Sequence, residues 1–262
     1  MLVMGILNVT PDSFSDGGRW FSTRAAIAHG EQLFDEGADI IDVGGESTSP
    51  GSEPVPPEEE LRRVLPVITE LARLGRVSVD TRHAEVAERA VEAGALMIND
   101  VSASLFEIAG AAEVEYVAMH MQGEPRTMQN APRYDDVVAE VYSFLRIVAE
   151  SAIAAGVKKC WVDPGIGFGK TFEHNIALIT NLPKLRATGF PVAIGVSRKG
   201  MIGHITHRQD PVDRIAGSLA AVYALADLGA DMVRVHDVAA TRDVLAVRSA
   251  LRGLPGRPGH PG

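Results

Sequence analysis

Short apolar segments alternate along the chain with longer segments in which apolar residues recur every three or four positions. The short segments are rich in Val, Ile and Met and end in polar residues, which is typical of strands buried on both faces. We predict eight strands, over 2–8, 38–45, 77–81, 96–100, 114–121, 159–164, 191–197 and 230–237. Amphipathic helices are predicted between them, for example over 58–73, 83–93, 136–155 and 211–228.

The regular alternation of strands and helices predicts the architecture. Gly37 and Gly229 each precede a strand, as expected where a helix ends and the next strand begins. Eight such units in about 250 residues predict an α/β protein with a single-domain (β/α)8 TIM barrel over 1–252. The main alternative, a doubly wound sheet, often carries a glycine fingerprint after its first strand, where this chain has Asn8. The Gly- and Pro-rich tail over 253–262 is predicted to be disordered.

Composition and charge narrow the class of protein. The chain has 262 residues, of which 46% are hydrophobic and 23% are charged, a globular composition with room for a sizeable core. Its net charge of -9 argues against nucleic acid as a partner, because there is no basic surplus to neutralise phosphates. No segment approaches the ~18 apolar residues of a membrane span, and no signal peptide is visible. Cys160 is the only cysteine, which excludes an internal disulfide and favours a cytoplasmic location.

Polar residues lie at or just beyond the carboxyl end of every predicted strand. In a (β/α)8 barrel the chemistry lies on the face where the strands end, so these residues are the candidates for function. They are Asn8, Asp42, Glu46, Asp80, Asn99, Asp100, His120, Asp163, Ser197, Lys199, Arg234 and His236. A single polar residue at a strand end often only caps the next helix. Because all eight strands carry one, we predict that these side chains converge on one pocket.

The candidate residues are divided by charge. Lys199 and Arg234, with Arg198 and His236 beside them, follow strands seven and eight, where such barrels commonly hold phosphate. Asn8 offers an oxygen ligand for Mg²⁺ on a diphosphate. We therefore expect a basic wall that binds an anion.

The acceptors lie on other strands. Asp80, Asn99 and Asp163 suit a planar heterocycle with several N–H donors, such as a 2-amino-4-oxo ring, because one carboxylate accepts two parallel N–H bonds. Gly165 and Gly167 allow the loop after Asp163 to pass close to that ring. We expect an acidic wall that holds the ring, opposite the basic wall. The acidic run 58–60 has a different role, because it opens a helix and is expected to be a solvated helix N-terminus.

Long motifs on successive strands carry a family resemblance. They are GILNVTPDSFSDGG at 5–18, GADIIDVGGEST at 37–48, VSVDT at 77–81, INDVS at 98–102, MHMQGEPRTMQ at 119–129, DPGIGFGK at 163–170, GVSRKGMIG at 195–203 and RVHDV at 234–238. With these motifs in this order, the chain resembles the dihydropteroate synthase family of folate biosynthesis over essentially its whole length. The resemblance implies a transferase that joins (7,8-dihydropterin-6-yl)methyl diphosphate to 4-aminobenzoate, releasing diphosphate and 7,8-dihydropteroate.

The resemblance also implies roles for individual residues. The pterin ring would be bound by Asp80, Asn99, Asp163 and Lys199, with Met119 and Phe168 beside it. The diphosphate would contact Thr48, Arg234 and His236, with Mg²⁺ held by Asn8. The aminobenzoate would lie near Phe14 and Ser197. Two mobile loops, 9–18 with Asp12 and 46–53, would help to close over the diphosphate and form the aminobenzoate site. Catalysis would depend on Asp80, Asp163, Lys199, Arg234 and His236, with no covalent nucleophile.

The resemblance also implies a homodimer formed through the later helices.

Some features leave alternatives open. Ser49 stands where the family usually has an arginine, which removes a cation that could touch the diphosphate. A pterin-binding methyltransferase of the same superfamily is one alternative, although it has less use for the cations after strands seven and eight. A paralogue that binds pterin without turnover is the other, and Ser49 is the feature that favours it.

Overall fold

The computed structural model of the chain describes residues 1–10, 18–47 and 52–253. Its strands are β1 (Leu2–Asn8), β2 (Ile40–Gly44), β3 (Val77–Asp80), β4 (Met97–Asp100), β5 (Glu115–Met119), β6 (Lys159–Asp163), β7 (Ala193–Gly195) and β8 (Met232–Val235). Its α-helices are α1 (Gly18–Asp35), α2 (Pro57–Leu71), α3 (Ala84–Glu92), α4 (Phe106–Ala111), α5 (Val137–Ala154), α6 (Phe172–Thr180), α7 (Leu182–Arg186), α8 (Gly200–Thr206), α9 (Ile215–Asp227) and α10 (Val238–Leu251), with a 3-10 helix at Pro211–Arg214. Each strand lies inside a predicted segment. The predicted tail, apart from Gly253, lies outside the described residues.

The strands form one parallel sheet that curls into a nearly closed barrel. β1 pairs with both β2 and β8, and the pairing continues in chain order from β2 to β6. β7 pairs with β8 and meets β6 through a bridge between Val162 and Val192, next to a 3.0 Å hydrogen bond from the Val162 amide to the Pro191 carbonyl. The predicted (β/α)8 barrel is confirmed.

Residues two apart on each strand build the barrel interior in layers, because side chains alternate between the two faces of a strand. The lower layer is an apolar cluster of Met4, Ile40, Met97, Val117, Trp161, Ala193 and Met232. The next interior layer toward the carboxyl ends consists of Ile6, Asp42, Asp80, Asn99, Met119, Asp163, Gly195 and Arg234. The barrel interior is therefore filled with apolar side chains in its lower layer and mostly with polar side chains in the layer nearer the carboxyl ends of the strands.

The outer faces of the strands pack against the helices in the main hydrophobic core. Helix α2 contributes Val64, Val67, Ile68 and Leu71 on one face, and Glu60 lies on the same face. The expectation that 58–60 is a solvated helix start is therefore wrong for Glu60, which is fully buried and hydrogen-bonds with His83 at 2.7 Å. Among the described residues, no helix has the length and apolar character needed to cross a membrane.

Candidate active site

A cavity of about 680 Å³ opens at the carboxyl ends of the strands. Ten of the residues predicted to form the site line it, namely Asn8, Asp80, Asn99, Met119, Asp163, Phe168, Ser197, Lys199, Arg234 and His236. Of the twelve strand-end residues predicted to converge on one pocket, nine line this cavity, whereas Asp42, Asp100 and His120 do not. Three further predicted residues, Asp12, Phe14 and Thr48, lie outside the described residues.

Arg234 on β8 crosses the barrel to the acids of β2 and β3. Its Nε donates to Asp42 Oδ2 at 2.6 Å, and its Nη2 donates to Asp80 Oδ2 at 2.6 Å. The Asn99 amide also donates to Asp42 Oδ2, at 2.9 Å. The expectation of an acidic wall facing a separate basic wall is therefore wrong. The charges are interleaved, because a buried carboxylate is stable only beside a cation or several hydrogen-bond donors.

Asp80 lines the cavity with a carboxyl group that is only partly satisfied by hydrogen bonds. Burial, opposed by the charge of Arg234, raises the pKa of Asp80 to about 7. Its Oδ1 is buried and has no hydrogen-bond partner among the described residues. A carboxyl group in this state gains free energy from a ligand that supplies an N–H donor.

Asp163 on β6 combines a fixed orientation with a free oxygen. Its Oδ1 accepts a 2.7 Å hydrogen bond from the Gly165 amide, which orients the carboxyl group. Burial raises the pKa of Asp163, whereas the charge of Lys199 opposes the shift. Gly165 has φ 67°, and a Cβ there would lie 1.9 Å from the His120 carbonyl oxygen, so only glycine fits this loop. Asp163 can therefore present Oδ2 to the cavity.

Lys199 lies between the acids and an aromatic ring. Its ammonium group is 4.6 Å from the centre of the Phe168 ring and donates a hydrogen bond to the Ile166 carbonyl. Burial lowers the pKa of Lys199 to about 8, with Asp163 opposing the shift. Phe168 and Lys199 together form a flat, cationic surface on one side of the cavity.

His236 is tied to the loop after β7. Its Nδ1 lies 3.0 Å from the Ser197 hydroxyl, which also accepts a 3.2 Å bond from the His236 amide. Burial, reinforced by Arg234, lowers the pKa of His236 to about 4. The imidazole is therefore neutral near pH 7 in the ligand-free protein, so it does not add to the positive charge of the site.

Sequence reasoning assigned no role to Lys170, which the structure places at the edge of the cavity. Its buried ammonium group lies 3.0 Å from His120 Nδ1 and donates to the Phe168 carbonyl at 2.9 Å. Burial lowers the pKa of Lys170 to about 7 and the pKa of His120 to about 3. Lys170 thereby joins the end of β5 to the loop after β6, and its position inside the DPGIGFGK motif is the sequence signal for this role.

Asp100 lies at the end of β4 but has a structural role and does not line the cavity. It follows Asn99 and so points to the opposite face of β4. Its carboxylate accepts hydrogen bonds from the Ser104 and Leu105 amides and from the Tyr116 hydroxyl, at 2.7, 2.8 and 2.7 Å. Asp100 therefore anchors the loop before α4 outside the cavity.

Asn8 could supply a ligand to a magnesium ion at the cavity. Asn8 ends β1 with an exposed side chain at the cavity wall, and its amide oxygen is a hard ligand of the kind that Mg²⁺ prefers. Arg234 pairs with Asp42 and Asp80 through one oxygen of each carboxylate. Asn8 would therefore supply one ligand, with diphosphate oxygens and water as the others.

Comparison with known proteins identifies the family. A family model described as pterin binding enzyme matches residues 4–236. The dihydropteroate synthase of Neisseria meningitidis is 49% identical over 95% of this chain and 92% of that protein. The chain belongs to the dihydropteroate synthase family.

Solved structures of dihydropteroate synthases have the same fold as this chain. The enzyme of Xanthomonas albilineans with 4-aminobenzoic acid is 50% identical, with a TM-score of 0.90 over 97% of this chain and 94% of that chain. The same enzyme in complex with 7,8-dihydropteroate matches with a TM-score of 0.87 and 48% identity over the same shares. The present chain thus shares its fold, over nearly its whole length, with dihydropteroate synthases that bind these two compounds.

Proposed function

We propose that this protein is a dihydropteroate synthase, which condenses (7,8-dihydropterin-6-yl)methyl diphosphate with 4-aminobenzoate to give 7,8-dihydropteroate and diphosphate. The observation that carries the proposal is one cavity in which Asp80, Asn99 and Asp163 lie beside Lys199 and Arg234. Such a cavity suits a ligand with an N–H-rich ring and an anionic group. Close relatives with this barrel bind 4-aminobenzoic acid and 7,8-dihydropteroate.

The pterin is assigned to the floor of the cavity. Asp163 Oδ2 and Asp80 Oδ1 are the acceptors left for its N–H groups, and Asn99 lies between them in the interior layer. Met119 is buried on β5, next to Asp163 on β6, and Phe168 offers a ring face. Two carboxylates near the ring also favour the positive charge that spreads into it when the diphosphate departs.

The diphosphate is assigned to the loops after β7 and β8. Arg234, Lys199 and His236 line this part of the cavity, and the resemblance adds Thr48. When bound, Mg²⁺ held by Asn8 would neutralise charge on the diphosphate and make it a better leaving group. The imidazole of His236 is neutral in the free protein. The negative charge of a bound diphosphate would raise its pKa and favour its protonated form.

The reaction is a direct displacement or a dissociation followed by capture. The bond from the pterin methylene carbon to the diphosphate oxygen breaks, and its electron pair leaves with the diphosphate. The aminobenzoate nitrogen forms a bond to that carbon and then releases a proton to water or diphosphate. Binding both substrates in one cavity lowers the barrier by orientation, without a covalent enzyme intermediate. Cys160, buried inside β6, takes no part.

Diphosphate release from purified protein tests the proposal. We expect release that requires the pterin diphosphate, 4-aminobenzoate and Mg²⁺, with stoichiometric formation of dihydropteroate. Pterin binding without release in the complete mixture would instead indicate the non-catalytic paralogue. Transfer of a methyl group from methyltetrahydrofolate to a corrinoid protein, without diphosphate release, would indicate the methyltransferase.

The proposal extends to location and assembly. We place the enzyme in the cytoplasm, in keeping with its single cysteine. We also expect a homodimer formed through the later helices, and the exposed apolar side chains of Ile205, Val212 and Ile215 on and between α8 and α9 support this. Light scattering during size-exclusion chromatography, with a predicted mass of twice 27.9 kDa, tests the assembly.

A further inference from the structure

Two loops supply the residues assigned to the diphosphate, and a pair of residues with no assigned role joins them. Ser197 and Lys199 flank Arg198 in the loop after β7, and Asp237 follows His236 after β8. Arg198 Nε donates to Asp237 Oδ2 at 3.0 Å, and Arg198 Nη2 donates to Asp237 Oδ1 at 2.5 Å. This two-bond geometry fixes the guanidinium group relative to the carboxylate.

The backbone of Arg198 is held in an unfavourable conformation. Its φ of 57° lies in the left-handed region, which non-glycine residues usually avoid. The Arg198 amide donates to the Ser218 hydroxyl and its carbonyl accepts from Arg214 Nη1, each at 2.9 Å. Ser218 is itself buried. These bonds hold the turn that lets Ser197 and Lys199 both reach the cavity.

The same ion pair fixes the second loop. Asp237 lies at the start of α10, directly after His236, so a bond to its side chain restrains the position of the imidazole. Ser197 and His236 form a second connection between the loops, at 3.0 Å. The Arg198 and Asp237 side chains are 27% and 16% exposed, so water screens this pair less than it screens an ion pair on the surface.

We propose that Arg198 and Asp237 act as a positioning pair, which fixes the loops after β7 and β8 relative to each other and thereby sets the affinity of the site for diphosphate. The inference rests on the proposed function. Arg198 borders the cavity, so the competing interpretation is that its guanidinium group binds the anion directly. The two roles differ in what the loss of Asp237 does. A positioning role predicts weaker binding, whereas a direct contact predicts unchanged or tighter binding, because Arg198 is released.

Titration calorimetry with inorganic diphosphate and Mg²⁺ separates these roles without relying on turnover. We expect Arg198→Gln and Asp237→Asn to weaken diphosphate binding by similar factors of about tenfold. The double variant should bind about as weakly as either single variant, because both substitutions break the same connection. Arg198→Lys, which keeps the charge but not the two fixed N–H groups, should lie between these variants and the unmodified protein.

Two further variants test the turn at Arg198 and the effect of losing an arginine–aspartate pair away from the cavity. Ser218→Ala leaves the guanidinium group intact but releases the Arg198 amide, and it should also weaken diphosphate binding. Arg242→Gln breaks a comparable arginine–aspartate pair, between α10 and Asp39, whose residues do not line the cavity. It should leave diphosphate affinity unchanged. The far-UV circular dichroism and the melting temperature of the Arg198 and Asp237 variants should show that they are folded.

The inference is overturned if Asp237→Asn binds diphosphate as tightly as the unmodified protein while Arg198→Gln binds it weakly, or if the two effects add. Absence of diphosphate binding in the unmodified protein overturns it as well. Diphosphate binding in a protein that lacks synthase turnover would refute the proposed function, yet the comparison of variants would still decide the role of the pair.

Discussion

Removing the charge of Asp80 should weaken pterin binding and abolish part of its pH dependence. Asp80→Asn keeps the size of the side chain and its Oδ1 acceptor. Arg234 retains its 2.6 Å bond to Asp42, so the substitution does not leave a buried cation unpaired. The variant should therefore fold, and its defect should lie in ligand binding.

The structure sets the scale of this effect. The Asp80 Oδ1 atom is buried without a partner, so a ligand N–H would form a charge-assisted hydrogen bond there. Such a bond contributes about 1.5–3 kcal/mol, against about 0.5–1.5 kcal/mol for a bond to the neutral Asn acceptor, so removing the charge should cost about 1–1.5 kcal/mol, or about five- to thirteenfold in affinity.

The pKa of Asp80, about 7 in the free protein, also predicts that pterin binding depends on pH. The carboxylate is mostly protonated at pH 6 and mostly ionised at pH 8, so binding that needs the ionised form should strengthen by about tenfold over this range. Lys170 and Lys199, with pKa values of about 7 and 8, also titrate there. The quantity to compare is therefore the difference between the pH profiles of the unmodified protein and Asp80→Asn.

Fluorescence titration with a pterin at pH 6, 7 and 8 measures both effects. Asp100→Asn is the matched control, because this neighbouring carboxylate lies on the outer face of β4 and anchors a loop. It should lower the melting temperature but leave the pterin affinity of the folded protein unchanged. Asp80→Asn protein that binds pterin within twofold of the unmodified protein, with the same pH profile, would refute the role given to Asp80.

Four further outcomes follow from the site. Lys199→Met should weaken pterin binding about tenfold in the same titration, by loss of a cation near the ring, and an unchanged affinity would exclude that contact. The pKa of His236, about 4 in the free protein, should rise when diphosphate binds, and NMR that shows no shift would place the anion elsewhere. Asn8→Ala should reduce the enhancement of diphosphate binding by Mg²⁺ in calorimetry, and an undiminished enhancement would exclude Asn8 as a ligand. Because burial raises the pKa of the Cys160 thiol to about 12, it should react with a thiol reagent only after unfolding, and rapid reaction in the native protein would contradict its placement in the core.

Most of the fold could be predicted from the sequence because the patterns that define a barrel are local. Apolar runs such as 77–81 and 159–164 end within one residue of the ends of their strands, and the last residues alternate between the two faces of the strand. This alternation also separates Asn99, which faces the cavity, from Asp100, which faces the helices. Reading the alternation strand by strand would therefore have removed Asp100 from the candidate residues.

The pairing of charges across the barrel could not be read from the sequence. Arg234 bonds to Asp42, which is 192 residues away, and no local pattern indicates that these two side chains meet. Glu60 was predicted to be solvated because it opens a helix, but its place on the apolar face of α2 buries it. In both cases the tertiary packing, rather than the local sequence, decides which charges are neutralised.

The measurement that tests the proposed site most directly is a crystal structure of the protein with a bound pterin. It should place the N–H edge of the ring within hydrogen-bonding distance of Asp163 Oδ2, with Lys199 beside the ring and Asp80 below it. A pterin bound away from these three residues, or a ring with its N–H edge turned to solvent, would contradict the assignment of this cavity.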